Sequence, residues 1–185
     1  MPRPWQRPRP VLAATLTLLL AGGVVAGPEN VDFPENYAST FVRYTTVDKP
    51  DRDPPIVRFM YINTDALAEA RPDEPLPHGS VVVMEDHAAR LTDDGEPVLD
   101  ADGRFLPTDE ITNVFVQEKQ PGWGEEYAEE KRNGEWEYAW FQPDGSRRDE
   151  DMDACFACHR QVADQDFTFT TWPFIRHIKE VVEER

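Results

Sequence analysis

The sequence predicts an α+β fold: a mainly antiparallel β-sheet of about five strands, a few packed helices, and a cysteine–histidine motif near the C-terminus. Three observations predict it. Five short segments rich in β-branched and aromatic residues lie between residues 40 and 142. Turn-forming residues bound each of them. Sustained helical periodicity enters only after residue 150.

The strand segments are "TFVRYTTV" (40–47), "PIVRFMYIN" (55–63), "SVVVMED" (80–86), "ITNVFVQEK" (111–119) and "EWEYAWFQ" (135–142). In the last, Trp136, Tyr138 and Trp140 recur at every second position, which puts three aromatic rings on one face. Between the second and third strands, "NTDALAEARP" reads as a short helix capped by Asn63 or Thr64 and stopped at Pro72. Residues 93–110 read as an acidic hairpin excursion. Its "DADG" shares a fragment with a calcium loop but lacks the remaining ligand spacing, so it reads as a turn. Residues 120–134 read as an exposed loop. Around "MDACFACHRQV" the apolar and reactive residues fall at helical spacing. The terminal "FIRHIKEVVEER" puts Phe174, Ile175, Ile178, Val181 and Val182 on one side, with Pro173 as its first helical residue. No internal repeat or composition break follows residue 30, so residues 27–185 read as a single domain.

Residues 1–26 read as a signal peptide: three arginines, an apolar run of about 16 residues, then small residues. Cleavage near Ala26 or Gly27 is expected, leaving no membrane span; a retained anchor is the alternative. Either way the folded part is expected outside the cytoplasm, in the periplasm of a Gram-negative cell. Losing three arginines takes the formal charge from −17 to −20. Such a surface repels nucleic acid and anionic lipid, which excludes both as expected partners. The acidity serves solubility, or else it draws in a basic redox partner protein.

Both cysteines and one of the four histidines sit in "CFACH", residues 155–159. This is C-x-x-C-H, the attachment pattern of c-type haem. Two thiols one helical turn apart can each add to a haem vinyl group, and the fixed ring then leaves His159 the iron to bind. Zinc would need further ligands, and His78, His87 and His177 are scattered. A thiol–disulfide oxidoreductase carries its C-x-x-C after an early strand of a βαβ unit, whereas here the whole sheet comes first. A structural disulfide is the remaining rival, and export together with the motif favours one covalent haem c. Only 26 residues follow His159 and none is Met. His177 reads as a surface or packing residue, and no spacing marks Met60, Met84 or Met152 as a sixth ligand. An open distal position that binds small molecules is expected.

With strands first and the haem motif last, the chain resembles the cytochrome P-460 family, which includes the cytochromes c′-beta. The resemblance runs from about Phe33 to Phe174. It is carried by "FPENY", "VRFMYIN", "HGSVVVMED", "FVQEKQPGWG", "WEYAWFQPDG" and, most specifically, "ACFACHRQVADQDFTFT". The resemblance implies a mainly antiparallel β fold, often a homodimer, and a five-coordinate haem with His159 as its proximal iron ligand. Members bind nitric oxide, and some oxidise hydroxylamine. Arg58 matches a pocket arginine of the hydroxylamine-oxidising members, and Glu150 matches a position where some active members place a carboxylate. The family's enzymes carry a lysine joined to the haem where this chain has Met84. A thioether cannot form that bond; Met84 is expected instead at the haem edge or distal pocket. The expected activity is therefore binding of a small diatomic or N-oxide ligand such as nitric oxide, with hydroxylamine, nitric oxide or peroxide as candidate oxidoreductase substrates. The rivals are a His/Met-ligated electron-transfer cytochrome and a non-catalytic nitric oxide scavenger or sensor.

Overall fold

Alternating side chains give each of five strands two faces to cover, and the chain covers both. A computed structural model describes Met1 and residues 27–183; the predicted signal segment, residues 1–26, lies outside these apart from Met1. The strands are β1 (Val42–Lys49), β2 (Ile56–Ile62), β3 (Val81–Ala89), β4 (Pro107–Lys119) and β5 (Trp136–Phe141). They pair antiparallel in chain order, a simple meander. The helices are α1 (Tyr37–Thr40), α2 (Thr64–Glu69), α3 (Asp153–His159) and α4 (Thr171–Glu183), and a 3-10 turn, Arg160–Gln165, continues α3. This is the α+β fold the sequence predicts.

Register sets two rows across the front of the sheet. Ile62, Val82, Gln117 and Tyr138 form one; Met60, Met84, Phe115 and Trp140 form the next. The front core joins Ile62, Val82, Trp136 and Tyr138 to Phe156 of α3 and Ile175 of α4. The back face presents Tyr61, Val83, Val114, Val116 and Phe141, covered by Val31, Tyr37 and Trp123. Because both faces are covered, β3 reads "VVV" rather than as a strict alternation.

The structure differs from the sequence reading in three places. The loop at 120–134 is not simply exposed: Trp123 is 8% exposed, within the back core. Asn133 is fully buried, and its Nδ2 donates to the Phe156 carbonyl (2.9 Å) and to Tyr138 Oη (3.1 Å). The loop's many charges mask these two anchors. Helix α4 starts at Thr171, so Pro173 is its third residue; first-turn amides have no intrahelical acceptor, which makes proline harmless there. Asn63 does precede α2, but its side chain caps nothing. It instead accepts from Val81 N (2.9 Å) and donates to Gly79 O (3.0 Å), tying α2 to β3. The "DADG" segment is a turn, closed by Asp100 Oδ1 on the amides of Asp102 and Arg104, each at 2.9 Å.

The back face also holds a buried polar cluster. Glu85 accepts from Tyr37, from Tyr61 at 3.1 Å and from His87 Nε2 at 2.7 Å, while His87 Nδ1 donates to Thr108 O at 2.9 Å. Burial opposes ionisation of Glu85, but the His87 and Tyr37 bonds outweigh it and hold its pKa below the usual value. The Glu85 bond raises that of His87. Burial, then Glu85, pushes Tyr61 up to about 12.

A raised His contributes stability that is complete below its unfolded pKa of about 6.5 and lost as pH rises through the folded value. A depressed Glu contributes above about 4.3 and loses it as pH falls. His87→Gln should therefore destabilise the protein most between about pH 4.5 and 6.5, by about 1 kcal/mol, and less at pH 3 or 9. Melting curves of both proteins across pH check this; a deficit independent of pH refutes it.

Candidate functional site

Helix α3 puts Cys155, Cys158 and His159 on one side, because positions i, i+3 and i+4 share a helix face. The opposite side carries Phe156, buried edge-on against Tyr138 (4.8 Å) and Tyr127 (5.0 Å). Anchoring Phe156 thus aims the reactive side at the space between α3 and the front of the sheet. Cys155 is half-buried, Cys158 is exposed, and both thiols are free. Burial, then the neighbouring Cys158, pushes the Cys155 thiol pKa up.

His159 is held by one bond: Nδ1–H donates to the Phe167 carbonyl at 2.7 Å. Burial, and after it the Arg58 charge, lowers the His159 pKa, so the ring is neutral and its Nε2 keeps a free lone pair. The Phe167 carbonyl is itself fixed, since Gln117 Nε2 also donates to it at 3.1 Å. Asp166 and Phe167 both have positive φ (49° and 58°), rare for residues with a side chain. Asp166 pins this turn by pairing with Lys119 Nζ (2.9 and 3.1 Å) and accepting from Leu76 N (2.8 Å).

His159 and Cys158 line a cavity of about 340 Å³ whose other walls include Arg58, Met60, Val82, Met84 and Phe169. That volume lies within the range of small-molecule sites. A second hollow of about 380 Å³ shares Arg58 and adds Asp86, Asn113, Phe115 and Trp140. Arg58 forms a bidentate pair with Asp86: Nε to Oδ1 at 2.6 Å and Nη2 to Oδ2 at 2.9 Å. Its Nη1 has only a weak contact with Met84 Sδ, at 3.9 Å, and so keeps donor capacity beside the cavity.

The structure therefore brings together five of the six residues singled out in the sequence: Arg58, Met84, Cys155, Cys158 and His159. It does not bring Glu150 to them. Glu150 is exposed and lines a separate shallow hollow with Glu29, Arg147 and Arg148, because the chain between β5 and α3 runs along the outside. Its expected catalytic role is withdrawn. His177 is exposed on α4, and Met152 is buried in the front core outside the cavity. Sequence reading missed Asp86, Gln117, Lys119–Asp166 and the Phe167 carbonyl. A signal for Asp86 existed, since it shares a strand face with Val82 and Met84. Gln117 and Lys119 likewise repeat at period two beside Phe115.

A neutral imidazole of fixed tautomer over a largely apolar cavity defines a cofactor-binding α+β protein. The chain belongs to the cytochrome P460 family, whose model matches residues 34–170. It is therefore a haem cytochrome. No curated protein matches the chain. The donor set fits a haem: one neutral imidazole nitrogen, mostly apolar walls, and Lys49 and Arg52 on the same lining to meet carboxylates.

Arg58→Leu should cost about 2–3 kcal/mol of stability, because it strands Asp86, whose side chain is 4% exposed. Adding Asp86→Asn should recover a good part of that loss. Urea denaturation of single and double variants measures it; an equal loss in both means the pair is not coupled.

Proposed function

We propose that this chain is an exported monohaem cytochrome with covalent haem c, whose distal side takes a small ligand such as nitric oxide. The observation that carries the reading is the His159 Nδ1–H bond to Phe167, which leaves Nε2 free beside the cavity. His159 would bind the iron through Nε2, and its carbonyl partner both orients the ring and raises its basicity. Cys155 and Cys158 would each form a thioether: sulfur bonds to one vinyl carbon and the thiol hydrogen goes to the other. The bound haem supplies an iron able to bind and exchange electrons with small ligands.

The remaining chemistry belongs to the chain. Arg58 Nη1 donates to a ligand in the cavity, while Asp86 balances the guanidinium charge and fixes its plane. Met84 and Val82 exclude water from the walls, which strengthens that hydrogen bond. Among the described residues no carboxylate near the cavity is free to take protons: Asp86 is engaged and Glu150 lies elsewhere. That favours ligand binding over hydroxylamine oxidation. A second reading, a His/Met electron carrier, rests on Met84 Sδ lining the same cavity.

Matured with haem, the protein should retain it through acid–acetone extraction, and Cys155→Ala with Cys158→Ala should release it. A double variant that still holds haem covalently refutes the attachment. The ferric protein should be high-spin by EPR and respond to nitric oxide. Low-spin iron indifferent to nitric oxide supports the Met84-ligated carrier instead. Tryptic mapping should find the haem on the 155–159 peptide with no lysine adduct, because Met84 has no amine to give.

A further inference from the structure

Glu137 is a carboxylate in an apolar place, and the cavity does not explain it. It lies on β5 between Trp136 and Tyr138, facing the back of the sheet, and is 0% exposed. Tyr127 Oη donates to Oε2 at 3.0 Å, but Oε1, fully buried, has no hydrogen-bond partner among the described residues. Burial, and further the charge of Glu29, raises its pKa to about 7. A buried acceptor left unmade costs on the order of 1–3 kcal/mol, and an unpaired charge costs more. Lys131 acts on it only through its charge, since its Nζ pairs with Asp153.

The backbone N–H of Gly27 lies against the carboxylate and lowers its pKa, but by less than burial raises it. Gly27 is buried. A methyl group on its Cα would meet the Glu29 carboxylate, which therefore lies close beside it. The segment that follows is fixed: Pro28–Asn30 is a 3-10 turn against β5, and Arg147 donates to the carbonyls of Pro28 and Val31. Two carboxylates thus flank one backbone nitrogen. In the sequence that nitrogen follows "VVA", small residues closing the apolar run, with Val24 and Ala26 at the positions an A-x-A-like cleavage site uses.

We propose that the signal segment is cut between Ala26 and Gly27, and that the freed Gly27 ammonium docks between Glu137 and Glu29. An exported-protein endopeptidase adds water across the amide: Ala26 leaves as a carboxylate and Gly27 becomes a protonated amine. One amide hydrogen is replaced by three donors and a positive charge, which supply the partner that Oε1 lacks. Processing and stability are then coupled, since the uncut chain keeps the unmatched acid. The inference rests on the exported reading and identifies where that export ends.

Intact-mass measurement of the full chain after export should give an N-terminus at Gly27. Inserting Thr between Ala26 and Gly27 should leave one extra residue and lower Tm by about 3–6 °C. In a Glu137→Gln background the same insertion should cost less than half as much. The Gly27 amine should also titrate above the ordinary value of about 7.7–8.0, and move back toward it in Glu137→Gln. A chain that still begins at Met1 overturns both this proposal and the export reading. Cleavage elsewhere, or an insertion cost equal in both backgrounds, overturns the seat and leaves export standing.

Discussion

The Phe167 carbonyl is the atom on which the site depends. It takes the His159 Nδ1 proton and so leaves Nε2 for the cavity. An imidazole without that acceptor is free to turn or switch tautomer, and its lone pair then has no fixed direction. Holding one carbonyl there enlists much of the front of the molecule. Gln117 from β4 donates to it, Asp166 locks its turn to Lys119, and Leu76 from the β2–β3 connection donates to Asp166. Two successive residues at positive φ mark where this costs backbone energy. Strain of that kind persists only where surrounding contacts outweigh it, and here those contacts come from three separate stretches of chain.

The sheet divides its two faces between two tasks. The front row Met60–Met84–Phe115–Trp140 forms a polarizable, aromatic floor, and α3 is laid over it so that the cavity has a sheet on one side and an imidazole on the other. Arg58 and Asp86 bring charge into this space as a neutral pair, which limits the desolvation penalty of either alone. The back face is closed by the N-terminal segment, whose Tyr37 reaches Glu85 and whose Gly27 reaches Glu137. Glu85 and Glu137 thereby each meet a residue far away in sequence. The strap from Gly27 to Phe41 is structural.

The strands, the α+β class and the spacing of Cys155, Cys158 and His159 were legible in the sequence, because each is a local pattern. Alternation along "EWEYAWFQ" and the i, i+3, i+4 spacing in "CFACH" need no tertiary information. So Trp136, Tyr138 and Trp140 share the front face as expected, and Cys155, Cys158 and His159 share one side of α3. Arg58 and Met84 were legible through family resemblance and strand parity, and both line the cavity. Glu150 misled for the opposite reason. Five residues from Cys155 is close along the chain, but position in space was set by how the β5–α3 connection runs.

Everything that depends on two distant residues meeting was decided by the tertiary structure. Asp86 pairs with Arg58 only because β2 and β3 align in that register. The Phe167 carbonyl is unreadable in any sequence, since every residue has one and only the fold aims it. Trp123 and Asn133 look like loop residues until a sheet is placed beneath them. The sequence by itself determined which segments form strands and helices, and that Cys155, Cys158 and His159 share one side of a helix. The tertiary structure decided which nitrogen of His159 is offered, which charges are neutralised and which carboxylate is buried, because hydrogen bonds and ion pairs act over about 3 Å and hold only between groups the packing brings that close.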